Sequence, residues 1–137
     1  MSVVLDGSAT LGWFYPDETT LALSELFDRV VARGAFVPEL WKIEVASSLT
    51  VGIRRRRITL EDREEALADL DSLSITVDRH TGGHVWHETL ALADKHRLTV
   101  YDATYLELAL RLSLPLATLD EDLREAAQRE GVPLLGK

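Results

Sequence analysis

"VVLDGSA", residues 3–9, runs three apolar residues into a lone aspartate, Asp6, and then turns the chain with Gly7 and Ser8. Val3–Leu5 reads as a short buried strand. The aspartate at its end has two readings. It is a turn residue or a helix cap, a common place for Asp. Or it is one wall of a site, because open parallel sheets bind ligands beyond the carboxyl ends of their strands.

Outward from this stretch, short apolar runs alternate with helical patterns. Ser8–Tyr15 reads as a short helix stopped by Pro16 and Asp17. Leu23, Leu26, Phe27, Val30 and Val31 recur at helical spacing, with Gly34 as a stop signal. Phe36–Val37 is a brief strand ended by Pro38, and a long helix is expected over about Glu39–Arg56. Thr59 with Asp62 resembles a capping box, opening a helix that carries Leu67, Leu70 and Leu73 inward. Ile75–Val77 is a third strand, "RHTGGH" a loop, and Val85, Trp86, Thr89, Leu90, Leu92 and Ala93 a further helical stripe. The helix over about Asp102–Leu112 is apolar nearly all round, hence central or at a subunit contact. Leu116–Thr118 is a fourth strand, Glu121–Glu130 a last helix ending at Gly131, and "VPLL" a fifth strand. This alternation predicts an α/β sandwich, with residues 1–137 forming one domain around a central parallel sheet of about five strands.

The composition narrows the function. Of 137 residues, 46% are hydrophobic, enough for a sizeable core, and no apolar stretch approaches a membrane span. Cysteine is absent, which excludes disulfides and thiolate metal sites. With no signal-peptide pattern, a cytoplasmic protein is expected. Twenty-three acids against 15 bases give a net charge of −8. This argues against broad coating of nucleic acid, though not against an enzyme that acts on nucleic acid through metal ions.

The acids then decide. Asp6 follows strand one, and Asp120, in "LPLATLDEDL", follows strand four on the same sheet edge. Asp102, in "TVYDATYLELA", opens a helix and could serve as its N-cap. Glu44, in "VPELWKIEVASSL", lies inside a helix with Leu40, Ser47 and Ser48 one turn away and no base beside it. Four carboxylates gathered without bases repel and are costly to bury. A hard divalent cation, Mg²⁺ or Mn²⁺, relieves that cost and prefers oxygen ligands. Such a site suits phosphodiester hydrolysis.

Those four motifs, in this order and at this spacing, resemble the motifs of PIN-domain proteins. They look most like the VapC-type ribonuclease toxins of toxin–antitoxin pairs, and the likeness covers essentially the whole chain. The resemblance implies that Asp6, Glu44, Asp102 and Asp120 form the family's acidic quartet, as metal ligands and catalytic residues. It matches Thr118 to a hydroxyl position and Asp122 to an auxiliary acid. Gly7 departs from the more usual Ala or Thr. The resemblance further implies a five-stranded parallel sheet between helices, a homodimer, an RNA substrate and an antitoxin whose arm reaches toward the acidic pocket.

Other features carry plainer readings. Arg54–Arg57 is the one concentrated positive run, read as a solvated helix end or as an RNA backbone contact. His80, His84 and His87 lack an obvious acid or Cys partner, so zinc is disfavoured. Trp13, Phe14, Trp41 and Trp86 are read as core or dimer packing rather than base-stacking platforms. Two other functions compete with the nuclease. A phosphoacceptor receiver needs an adjacent acid pair after strand one and a late lysine; here one acid follows strand one, Asp78 follows strand three, and no lysine directly follows strand four. A catalytically idle PIN-like binding module is the second, and the intact quartet argues against it.

Overall fold

The computed structural model describes residues 1–137. Five parallel strands lie in the order β3-β2-β1-β4-β5: β1 Val3–Leu5, β2 Ala35–Pro38, β3 Ile75–Asp78, β4 Leu116–Ala117 and β5 Leu134–Leu135. β1 is central. Val3, Val4 and Leu5 are fully buried, as expected for a parallel strand covered on both faces. Its register sets Val3 beside Ala35 and Leu5 beside Ala117. The residues that follow β1 and β4 therefore leave the sheet side by side.

Seven α-helices cover the sheet: α1 Gly7–Gly12, α2 Leu21–Arg33, α3 Leu40–Arg54, α4 Leu60–Ser72, α5 Leu90–His96, α6 Val100–Leu112 and α7 Glu121–Arg129. Local chemistry sets their ends. Thr20 caps α2 through the Leu23 amide, and Gly34 closes it with φ of 74°. A β-carbon at Gly34 would also stand 2.7 Å from the Ser74 carbonyl oxygen, so no other residue fits there without a shift. Thr59 and Asp62 form the expected capping box at α4. α6 is the central helix of the sequence reading: every residue from Ala103 to Ala109 is buried.

Three expectations are corrected. Leu67 points outward at 41% exposure and Ala66 faces the core in its place, while Leu70 is buried and Leu73 packs against the core as expected. The "TGGH" loop is a 3₁₀ turn, Thr81–His84, and it runs into a π-helical turn at Val85–Thr89 before α5 begins. That wider turn rotates Trp86 to 83% exposure, out of the core of the chain. Trp41, by contrast, is buried, and its indole N–H donates to the Thr10 hydroxyl.

Candidate acidic site

The site lies at the carboxyl edge of the sheet, between β1 and β4. Asp6 is 4% exposed. It caps α1, accepting from the Ala9 amide at 2.9 Å, so the cap reading holds alongside the site reading. The Ser8 hydroxyl also reaches both Asp6 oxygens, at 2.8 and 3.0 Å. Ser8 in turn accepts from the Leu119 amide, which ties α1 to the segment after β4. Burial pushes the Asp6 carboxyl up to about 6, against the pull of Ala9, Thr118 and Ser8; the Asp102 charge adds to the rise.

The other three acids arrive from separate elements. Asp120 caps α7 through the Leu123 amide at 2.8 Å, and its own N–H donates to the Thr118 hydroxyl. Asp102 lies in the first turn of α6 and is not its cap: Thr99 takes that role, accepting from the Asp102 amide. Asp102 is thus free to face the other acids. Burial raises its carboxyl, and the charges of Asp120 and Asp122 raise it further. Glu44 projects from α3, half-buried and raised by burial, with Asp102 again contributing. Its partner comes from across the site: the buried Tyr105 hydroxyl donates to Glu44 Oε1. Burial, followed by that bond to Glu44, keeps the Tyr105 phenol protonated far above its ordinary range.

All four sequence-predicted acids thus share one electrostatic neighbourhood, and none of them forms a salt bridge. Asp122 is exposed at its rim, and Thr118 is buried beneath it. As the side chains stand, no three acidic or imidazole groups gather tightly enough to coordinate one ion. Asp6, Glu44 and Asp120 are each directed onto a local donor instead. A carboxylate keeps further lone pairs beyond one such bond, so these contacts leave oxygens able to ligate. The donor set, oxygen only with no basic partner and with Asp6, Glu44 and Asp102 raised first by burial and then by a neighbouring acid, fits a hard divalent cation. Gly7 fits as well. A β-carbon there would meet Glu44 at 3.7 Å, ordinary contact, so an alanine would fit and the departure from it removes no ligand.

The remaining candidates separate clearly. Asp78, the acid after β3, is not available as a phosphoacceptor. It accepts from Arg111 at 2.8 Å and from the Thr81 hydroxyl at 2.7 Å, and Arg111 also grips Glu107. Burial alone would raise the Asp78 carboxyl, but these hydrogen bonds and the guanidinium charge outweigh it and hold it at about 2. His84 pairs with Glu88 four residues on, and no histidine cluster forms. The arginine run divides. Arg57 packs over the Tyr15 ring at 4.2 Å and pairs with Asp17 and Glu18, whereas Arg54, Arg55 and Arg56 are exposed and take no acidic partner.

Sequence reasoning missed Ser8 and Tyr105. Tyr105 lies three residues after Asp102, one turn along the same face of α6, and that spacing was the available signal.

Comparison with known proteins agrees with this fold. Residues 3–129 match the PIN domain family model. Ribonuclease VapC3 of Pyrobaculum aerophilum is 33% identical over 127 residues, covering 91% of this chain and 94% of that protein. Among solved structures, PAE2754 from Pyrobaculum aerophilum superposes with a TM-score of 0.70 at 23% identity, covering 98% of this chain and 90% of that one. FitAcB from Neisseria gonorrhoeae gives 0.57 at 16% identity, covering 96% and 95%. The acids that end β1, follow β4 and project from α3 and α6 fall within the 3–129 match, and on that ground the chain belongs to the PIN domain family.

Proposed function

We propose that this protein is a metal-dependent endoribonuclease, the toxin of a toxin–antitoxin pair. The observation that carries the reading is the 33% identity to a ribonuclease of the VapC type over nearly the full length of both chains. The four carboxylates at the sheet edge support it. Asp6, Glu44, Asp102 and Asp120 would hold Mg²⁺ or Mn²⁺, with Thr118 and Asp122 auxiliary. A cation bound there would polarise the phosphoryl group and lower the pKa of a coordinated water.

The chain's own residues prepare that chemistry. Ser8 and Thr118 orient Asp6, and Tyr105 orients Glu44. Hydrolysis then joins a water oxygen to phosphorus and breaks one P–O ester bond. Of the run Arg54–Arg57, the exposed and unpaired Arg54, Arg55 and Arg56 are the proposed source of contacts to the RNA backbone, in a chain otherwise too acidic to attract it. By the family resemblance, the partners are RNA, a cognate antitoxin and a second copy of the chain.

The purified protein, freed of antitoxin, is expected to cleave RNA with Mg²⁺ or Mn²⁺ and to stop with EDTA. Cleavage that persists unchanged in excess EDTA sinks the metal mechanism. A folded protein that binds antitoxin but never cleaves RNA is the idle module instead.

A further inference from the structure

α3 carries two neighbouring stripes. Trp41, Val45, Leu49 and Gly52 are buried and face the core. One step around the helix, Glu44, Ser48, Val51 and Arg55 follow at spacings of four, three and four, and so share a second face. That face begins at the acidic site and ends, eleven residues on, at an unpaired guanidinium. At 1.5 Å per residue, the distance along the axis is about 16 Å.

An open groove of about 470 Å³ follows this face. Ser8 and Asp120 line its inner end, Ser48 its middle, and Tyr15, Gly52 and Arg55 its outer part. Gly52 is required there: a β-carbon would stand 2.5 Å from the Tyr15 hydroxyl oxygen. The close approach of Tyr15 to α3 gives the groove its wall. Arg57 also lines the groove and braces that wall, stacked on the Tyr15 ring and tied to Asp17 and Glu18.

We infer that this groove holds the single-stranded RNA backbone on one side of the cleaved phosphate, with Arg55 gripping a phosphate at its outer end and Arg57 serving as a brace for the wall. The inference rests on the ribonuclease reading and names its substrate track. Its chemistry suits a phosphodiester chain. Small hydroxyl side chains leave room and offer donors to phosphate oxygens. The negative charge is confined to the inner end, where the reacting phosphate meets the acids, apart from Glu18, which Arg57 occupies. Arg55 is the cation that the groove leaves unpaired, and a guanidinium suits phosphate oxygens.

The test is fluorescence anisotropy of a labelled single-stranded oligoribonucleotide across a KCl series, with Ca²⁺ as the only divalent ion. Arg55→Gln should weaken binding and lower the slope of log affinity against log salt by ~0.7, the value of one single-strand phosphate contact. Arg57→Gln should leave the slope unchanged and lower the melting temperature. Ser48→Trp, which fills the middle of the groove, should abolish most of the salt-dependent binding while the protein stays folded by circular dichroism. A wild-type slope in Arg55→Gln, or full affinity in Ser48→Trp, overturns the groove assignment. If the wild-type protein neither binds nor cleaves RNA, the ribonuclease reading itself has failed.

Discussion

The Tyr105 hydroxyl donates to the Glu44 carboxylate, joining α6 to α3 across the acidic site. Glu44 has no other hydrogen-bond partner, so this one contact sets its direction. Tyr105→Phe preserves the ring in the core and removes only the donor. The variant should melt within about 1 kcal/mol of wild type, the net value of a typical hydrogen bond. Its Mn²⁺ affinity by calorimetry should fall, and its RNA cleavage should fall with it. Equal Mn²⁺ affinity in both proteins would remove Tyr105 from the site.

Asp6 makes stability depend on pH. Its carboxyl stands at about 6 in the folded chain, against an ordinary value of 3.8. Between these values the folded state binds more protons than the unfolded state, so stability falls as pH rises through this window. The full span is worth about 3 kcal/mol before relaxation of the site. In EDTA, the wild-type melting temperature should decline from pH 4 toward pH 7, and Asp6→Asn should flatten that decline. A variant with the wild-type profile contradicts the buried, unpaired state of Asp6.

Asp102 gives the complementary test. Burial and the charges of Asp120 and Asp122 disfavour its ionised form. Asp102→Asn should therefore raise the melting temperature in EDTA by about 2–6 °C. Thr99, not Asp102, caps α6, so no cap is lost. Mn²⁺ should stabilise wild type far more than the variant, because it binds the folded state. A variant that is less stable in EDTA and gains as much from Mn²⁺ rejects a shared metal site.

Arg111 should behave in the opposite sense. It neutralises Asp78 and Glu107, both less than 10% exposed. Arg111→Met strands two buried carboxylates and should cost about 3–5 kcal/mol by denaturant unfolding. Asp78 is held at about 2, so the stability from this pair should be lost as pH falls from about 4 through 2. A loss below 1 kcal/mol would show that water reaches these acids freely.

Much of the site is legible in sequence because each acid lies beside an independent local signal. "VVLD" and "LATLD" mark strand ends, and their registers meet through Leu5 and Ala117. Glu44 announces itself by lacking a basic neighbour. Its actual partner stays hidden, since Tyr105 lies 61 positions away in a helix that reads as apolar nearly all round. Asp102 reads as a cap, but the helix begins two residues earlier and Thr99 caps it, accepting from the Asp102 amide. Trp86 leaves the core of the chain and Leu67 the buried stripe for geometric reasons. A π turn shifts the helical phase at Trp86, and in α4 the small Ala66, not the larger Leu67, lies against the core. Periodicity finds a stripe; it does not fix its phase when the turn widens or when an alanine suffices.

The sheet order also has a consequence in time. β1 precedes the other four strands in the chain, yet one of its two neighbours, β4, begins only at Leu116, and Asp120 follows four residues later. A growing or truncated chain that stops before Leu116 can pair β1 with β2 alone. It lacks Thr118, Asp120 and the Leu119 amide that anchors Ser8. The complete set of acids therefore comes into being only once Asp120 has been made, and no fragment that stops before it carries the set.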